Sequence, residues 1–290
     1  MTRIVVLGDL NLDIHAALPG NLGPGNEARD TVTVRAGGSG GTFARTAAAL
    51  GACVTFIGAV GSDLVGDLLD SSLVQAGVTP KLDRVNLPSG AVLAIQMEED
   101  RSMVCARGAN DGLTPDWVAE SLPTGAHHLH VSGYALLSEA QRDAALQAFE
   151  LAAGYKMTRS LDPPPVGLIQ SFGVQRYLDL LPDGLWLFPN QSEGQLLSGM
   201  TASEDVADEL CHRFPVGAHT LGADGALAWE RNERHFQKSR PLPPVDTTGA
   251  GDVYAATFVT QFLHTGNLAQ ANTAACEAAF SRLRDRSDLA

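Results

Sequence analysis

Short apolar runs rich in valine and isoleucine recur along the chain, separated by segments whose apolar residues return with helical spacing. Residues 4–7, 53–57, 128–131, 157–161, 185–188 and 218–221 read as strands. Residues 42–50, 64–75, 139–153, 204–213, 252–264 and 268–284 read as helices. Strands this continuously apolar must be covered on both faces, which alternating βα units achieve by building a mostly parallel sheet between helices. The expected fold class is therefore α/β.

At 290 residues and 44% hydrophobic content, the chain can bury a substantial core, and one main domain over 1–290 is expected. A net charge of −13 argues against a nucleic-acid footprint or an anionic membrane partner. No run of about 18 apolar residues occurs, and Met1-Thr2-Arg3 leads straight into the first strand without a signal-peptide pattern, so a cytoplasmic location is expected. Cys53, Cys105, Cys211 and Cys276 lack both C-x-x-C and Cys/His ligand spacing. They are expected to pack as small apolar residues, not to form disulfides or a zinc site.

Two regions break the βα rhythm. Residues 31–35 alternate strictly, and 91–97 face 102–106 across the polar 98–101, a hairpin pattern. These strands, from about 14–36 and 88–107, are read as a small antiparallel β lid inserted in the core, with an edge extension of the main sheet as the alternative.

The stretch Val245-Asp246-Thr247-Thr248-Gly249-Ala250-Gly251-Asp252 opens the helix at 252–264. Unpaired N–H groups and the helix dipole make such an end attractive to anions. Asp252 would then stand as a base beside an anion hole, a pairing suited to phosphoryl transfer to an alcohol. Upstream, Gly8-Asp9-Leu10-Asn11-Leu12-Asp13 follows the first strand at its carboxyl end, and Asp13 is a candidate hydroxyl binder. Gly37-Gly38-Ser39-Gly40-Gly41 precedes the first helix and would let backbone approach a ligand. Asn190 and Glu193 lie three apart after a strand, an arrangement fit either to orient a hydrated Mg²⁺ or to form a capping box. Thr220 to Gly225 ends the next strand in a glycine turn. The only lysines are Lys81, Lys156 and Lys238, none in a G-K-[ST] context, and no G-x-G-x-x-G follows the first strand. A P-loop is thereby excluded and a Rossmann dehydrogenase disfavoured.

Taken together with Arg107-Gly108-Ala109-Asn110, these ordered motifs resemble the ribokinase-like, PfkB-type family of sugar and nucleoside kinases. The resemblance implies a three-layer α/β/α core with a β lid, ATP and Mg²⁺ as cofactors, and an acceptor bound between core and lid. By it, Asp252 would be the general base and Gly249, Ala250 and Gly251 the anion hole. Asp13, Gly38, Gly41, Thr42 and Asn110 would touch the acceptor. Asn190, Glu193, Thr220, Gly222 and Gly225 would serve the nucleotide, Glu193 orienting Mg²⁺ through water. Asp246 falls where some members hold a monovalent cation such as K⁺. Thr42 replaces an asparagine frequent in the family, Asp162-Pro163-Pro164-Pro165 replaces a frequent Asp-Pro-Asn, and Ala256 replaces a frequent glycine.

The expected activity is ATP-dependent phosphorylation of a hydroxymethyl group on a small sugar. A nucleoside kinase of the same family, or a sugar-binding protein without turnover, are the alternatives. The exposed lid strands could pair two copies into a homodimer.

Overall fold

The computed structural model describes residues 1–18, 32–97, 100–241 and 247–287. Its first half contains β1 (Arg3–Leu7), β2 (Asn11–Leu18), β3 (Val32–Gly37), α1 (Ser39–Ala49), β4 (Cys53–Gly61), α2 (Leu64–Gln75), β5 (Thr79–Val85), β6 (Gly90–Met97), β7 (Asp100–Ala106), α3 (Pro115–Ser121), β8 (His128–Ser132) and α4 (Glu139–Gly154). The second half adds β9 (Thr158–Asp162), α5 (Val166–Phe172), α6 (Val174–Leu180), β10 (Trp186–Leu187), α7 (Gln191–Ser198), α8 (Ser203–Cys211), β11 (Val216–Thr220), β12 (Ala226–Glu230), β13 (Glu233–Gln237), α9 (Ala250–Thr265) and α10 (Leu268–Ser287).

Nine strands form the main sheet in the order β13-β12-β11-β10-β9-β8-β1-β4-β5. From β11 to β5 every pairing is parallel, and β12 and β13 extend the other edge antiparallel. Alternate residues of β1 feed two separate cores. Val5 and Leu7 join the apolar cluster under α3 to α8, whereas Ile4 and Val6 join the one under α1, α2, α9 and α10. All four are at most 1% exposed, which is why this strand reads as an unbroken apolar run.

A second sheet, separate from the first, has the order β3-β2-β6-β7. Pairs β2–β3 and β6–β7 are antiparallel, as the alternating pattern implies. The middle pair β2–β6 is parallel, because both strands leave the core in the same direction. Residues paired across a ladder share a face. One face therefore carries the row Arg35–Asp13–Val92–Cys105 and the other the apolar row Val34–Ile14–Leu93–Val104. Val34, Leu93 and Val104 of that apolar row are exposed.

Two expectations need correction. Helix α1 starts at Ser39, not Thr42: Gly40 and Gly41 belong to its buried first turn, where side chains would collide with Gly8 and Leu10. All four cysteines are free; Cys211 and Cys276 pack half-buried against the two cores, whereas Cys53 and Cys105 are exposed and do not pack as expected. No helix among the described residues is long and apolar enough to cross a membrane.

Candidate active site

The neighbouring parallel strands β1, β8 and β9 finish at one level, with Leu7 beside Val131 and Ser132 beside Asp162. Their carboxyl ends, where open α/β sheets bind ligands, deliver Asp9, Tyr134 and Asp162. Asp9 is buried and already engaged. Arg107 Nη1 donates to its Oδ2 at 2.9 Å and Gln141 Nε2 to its Oδ1 at 3.1 Å.

Asp252 lies on the first turn of α9, whose N-cap is Gly249 at φ 76°. Ser39 Oγ, from the first residue of α1, donates to Asp252 Oδ1 at 2.7 Å. Two helix N-termini therefore converge on one carboxylate, and each contributes roughly half a positive charge. Burial pushes the Asp252 carboxyl up to about 6, against the opposing pull of Ser39, Asp162 and the guanidinium charges of Arg45 and Arg282. Burial, with the negative charges of Asp252 and Glu193, lifts Asp162 well above the usual carboxylate range. Asp162 accordingly keeps its proton and donates it in a hydrogen bond to Asp252, leaving the negative charge on Asp252.

The helix start also shows which amides are open. Ala250 N–H is used by Thr247 O at 3.1 Å, while Gly251 is exposed and its N–H has no acceptor among the described residues. Thr42 stands alongside, its methyl 3.6 Å from where a Gly249 Cβ would be. Asp13 lies on β2 against Gly37, within the attractive field of Arg45.

Other expected acceptor residues serve the framework. Asn110 is 1% exposed: its Nδ2 donates to Leu10 O, Asn11 Oδ1 and Arg107 O, and its Oδ1 accepts from Leu10 N at 2.9 Å. The whole amide is spent fixing the β1–β2 junction. Gly41 is buried against Leu10 and Arg45, and Arg45 Nη2 donates to Ala36 O at 3.0 Å. Gly38 caps α1 at φ 87°, where a Cβ would lie 2.2 Å from Asp9 O.

Farther along the sheet, Asn190 and Glu193 form a capping box on α7. Glu193 N–H donates to Asn190 Oδ1 at 3.0 Å, and Asn190 N–H to Glu193 Oε2 at 2.9 Å. Burial pushes the Glu193 carboxyl up to about 7 despite these donors. Asn190 bridges to Thr220 on the next strand, so these two motifs meet. The turn after Thr220 requires glycine at 225, because φ is +118° and a Cβ would lie 1.9 Å from Gln237 O. Asp246 lies outside the described residues. Among them, no group of three or more His, Cys, Asp or Glu side chains is arranged to hold a metal ion.

Sequence reasoning did not assign Ser39, Tyr134 or Asp162. Asp162 carried one usable signal, a polar residue directly after the strand expected at 157–161; Tyr134 and Ser39 had none beyond a neighbouring glycine.

The chain matches the pfkB family carbohydrate kinases over residues 1–287. It belongs to this family. Its relatives include a ribokinase of Haemophilus influenzae, 28% identical over 276 residues that cover 90% of this chain and 85% of the relative. A 5-dehydro-2-deoxygluconokinase of Shouchella clausii is 30% identical over 283 residues, covering 92% and 85%. The fold is shared with an E. coli protein assigned as ribokinase II, solved with ATP and Mg²⁺, at a TM-score of 0.85 and 21% identity over 98% of this chain and 93% of that one. As a pfkB family member, the chain is a phosphotransferase acting on an alcohol group.

Proposed function

We propose that this family member transfers the γ-phosphoryl group of ATP to a hydroxymethyl group of a small sugar, with Asp252 as general base. The observation that carries this reading is Asp252 itself, a carboxylate that accepts from Ser39 Oγ at 2.7 Å on a helix start beside the open amide of Gly251. Asp252 takes the proton of the attacking hydroxyl, and the Gly249 to Gly251 backbone receives the charge developing on the transferred group. Catalysis comes from positioning and charge stabilisation, which is what phosphoryl transfer demands.

Glu193, Asn190, Thr220 and the Gly222 to Gly225 turn form the nucleotide side. Their oxygen donors suit Mg²⁺, and Glu193 is assigned to orient the ion through water. When bound, Mg²⁺ offsets charge on the phosphate oxygens. The second sheet acts as a lid, its Asp13 face turned to the acceptor. Its apolar outer face is assigned to pairing with a second copy of the chain.

The test is ATP consumption with Mg²⁺ across a panel of sugars and nucleosides, with and without K⁺. Turnover of a sugar is expected. Sugar binding without ATP consumption would replace this reading with that of a binding protein, and preference for a nucleoside would move the acceptor class.

A further inference from the structure

Tyr134 follows β8 in the 3-10 turn Gly133–Leu136, between the strand ends that deliver Asp9 and Asp162. It is half-buried, and its hydroxyl has no hydrogen-bond partner among the described residues. Burial, and after it the electrostatic influence of Asp252, Asp162, Cys105 and Asp9, holds the phenol in its protonated form. Those neighbours come from both sides of the cleft. Asp252 and Asp162 are the reactive pair on the core, whereas Cys105 lies on the second sheet in the same row as Asp13.

The hydroxyl is not among the fully buried polar atoms, so it stays open to whatever enters beside the strand ends. The nearby carboxylates are already served: Asp9 by Arg107 and Gln141, and Asp252 by Ser39 and Asp162. The donor is thus left for something that enters between sheet and core. An aromatic ring with one polar tip also suits a sugar, which presents apolar C–H faces and hydroxyl oxygens.

We propose that Tyr134 forms the core-side wall of the acceptor site, its ring packing on a sugar face and its hydroxyl donating a hydrogen bond to one acceptor oxygen. This rests on the kinase reading above and deepens it. Asp13 on the lid and Tyr134 on the core grip the acceptor from opposite sides and present its hydroxymethyl group to Asp252.

The test compares Tyr134→Phe and Tyr134→Ala with the parent. Losing one hydrogen bond while keeping the ring should raise the acceptor KM about 3- to 10-fold, with kcat within about twofold. Losing the ring should raise it further. Affinity for a non-hydrolysable ATP analogue, measured by calorimetry, should stay unchanged in both, and thermal unfolding of Tyr134→Phe should match the parent. Among single-deoxy analogues of the best sugar, one should bind parent and Tyr134→Phe equally, identifying the oxygen that is contacted. An acceptor KM unaffected in both variants, or nucleotide affinity falling in step with it, would overturn the assignment. If the parent consumes no ATP with any acceptor, the kinase reading fails by itself. Calorimetric sugar binding to parent and Tyr134→Phe then decides the role of Tyr134, with equal affinities counting against it.

Discussion

Ser39 and Asp252 are 213 residues apart in sequence, yet the hydroxyl of the first meets the carboxylate of the second at 2.7 Å, joining the N-termini of α1 and α9. Asp252→Asn should lower turnover by about 10²- to 10⁴-fold, since the proposed general base is lost, while nucleotide affinity and folding persist. Ser39→Ala removes a donor to the ionised form only. It should leave an active enzyme whose acid limb of kcat/KM lies at higher pH than the parent's. An Asp252→Asn variant with parental turnover would remove Asp252 from the mechanism.

The same carboxyl makes activity and stability respond oppositely to pH. With Asp252 as the proposed base, activity needs its ionised form, so kcat/KM should rise with pH through about 6, reporting the Asp252–Asp162 pair as a unit. The folded value lies above the ordinary 3.8, so the folded state binds the proton more tightly than the unfolded chain. Its contribution to stability is full below about pH 4 and is lost as pH rises through about 6. Thermal unfolding at pH 4.5 and 7.5 should show a larger loss for the parent than for Asp252→Asn.

Gly38 and Gly51 share a φ of +87°, but only Gly38 is crowded, its Cβ position falling 2.2 Å from Asp9 O while nothing lies within 4 Å of that at Gly51. Gly51→Ala should cost about 1 kcal/mol for the backbone conformation alone. Gly38→Ala should cost about 1–3 kcal/mol more because rigid backbone must move. Equal unfolding midpoints in denaturant would show that the α1 N-terminus yields easily.

The outer row Val34–Ile14–Leu93–Val104 predicts a concentration-dependent dimer. Sedimentation of the parent should give twice the chain mass, and a Val34→Lys, Val104→Lys double variant should halve it. A parent that sediments as a monomer at all concentrations would leave this face without a partner.

Legibility in the sequence followed burial. Strands β1, β4 and β8 announce themselves because both faces are covered, and α2 was placed at its observed ends, with Asp63 accepting from Gly66 N–H at its N-cap. Strands β5 and β13 did not stand out, since half-exposed edges carry mixed residues such as Thr79-Pro80-Lys81 and Glu233-Arg234-His235. The glycines at 40 and 41 looked like loop and are helix, because their job is close packing and not a turn. In the site, motif residues near one another in sequence were readable, whereas the Ser39–Asp252 and Asp162–Asp252 contacts join distant segments. Asn110 and Glu193 show a further limit. Both matched functional motifs, yet the structure also uses both to close helix and strand junctions, and sequence patterns do not separate the two duties.

The junction held by Asn110 has a consequence for how such a chain diversifies. Its amide locks Leu10 and Asn11, and Arg107 ties the end of β7 to Asp9, so the second sheet is rooted in the core at fixed points. Beyond those roots, Val92 and Cys105 continue the row of Asp13 without belonging to either anchor. Substitutions there alter the shape that the sheet presents while the reactive pair stays where α1, α9 and β9 place it. Selectivity can therefore drift independently of chemistry, and a new preference can be acquired without rebuilding the engine beneath it.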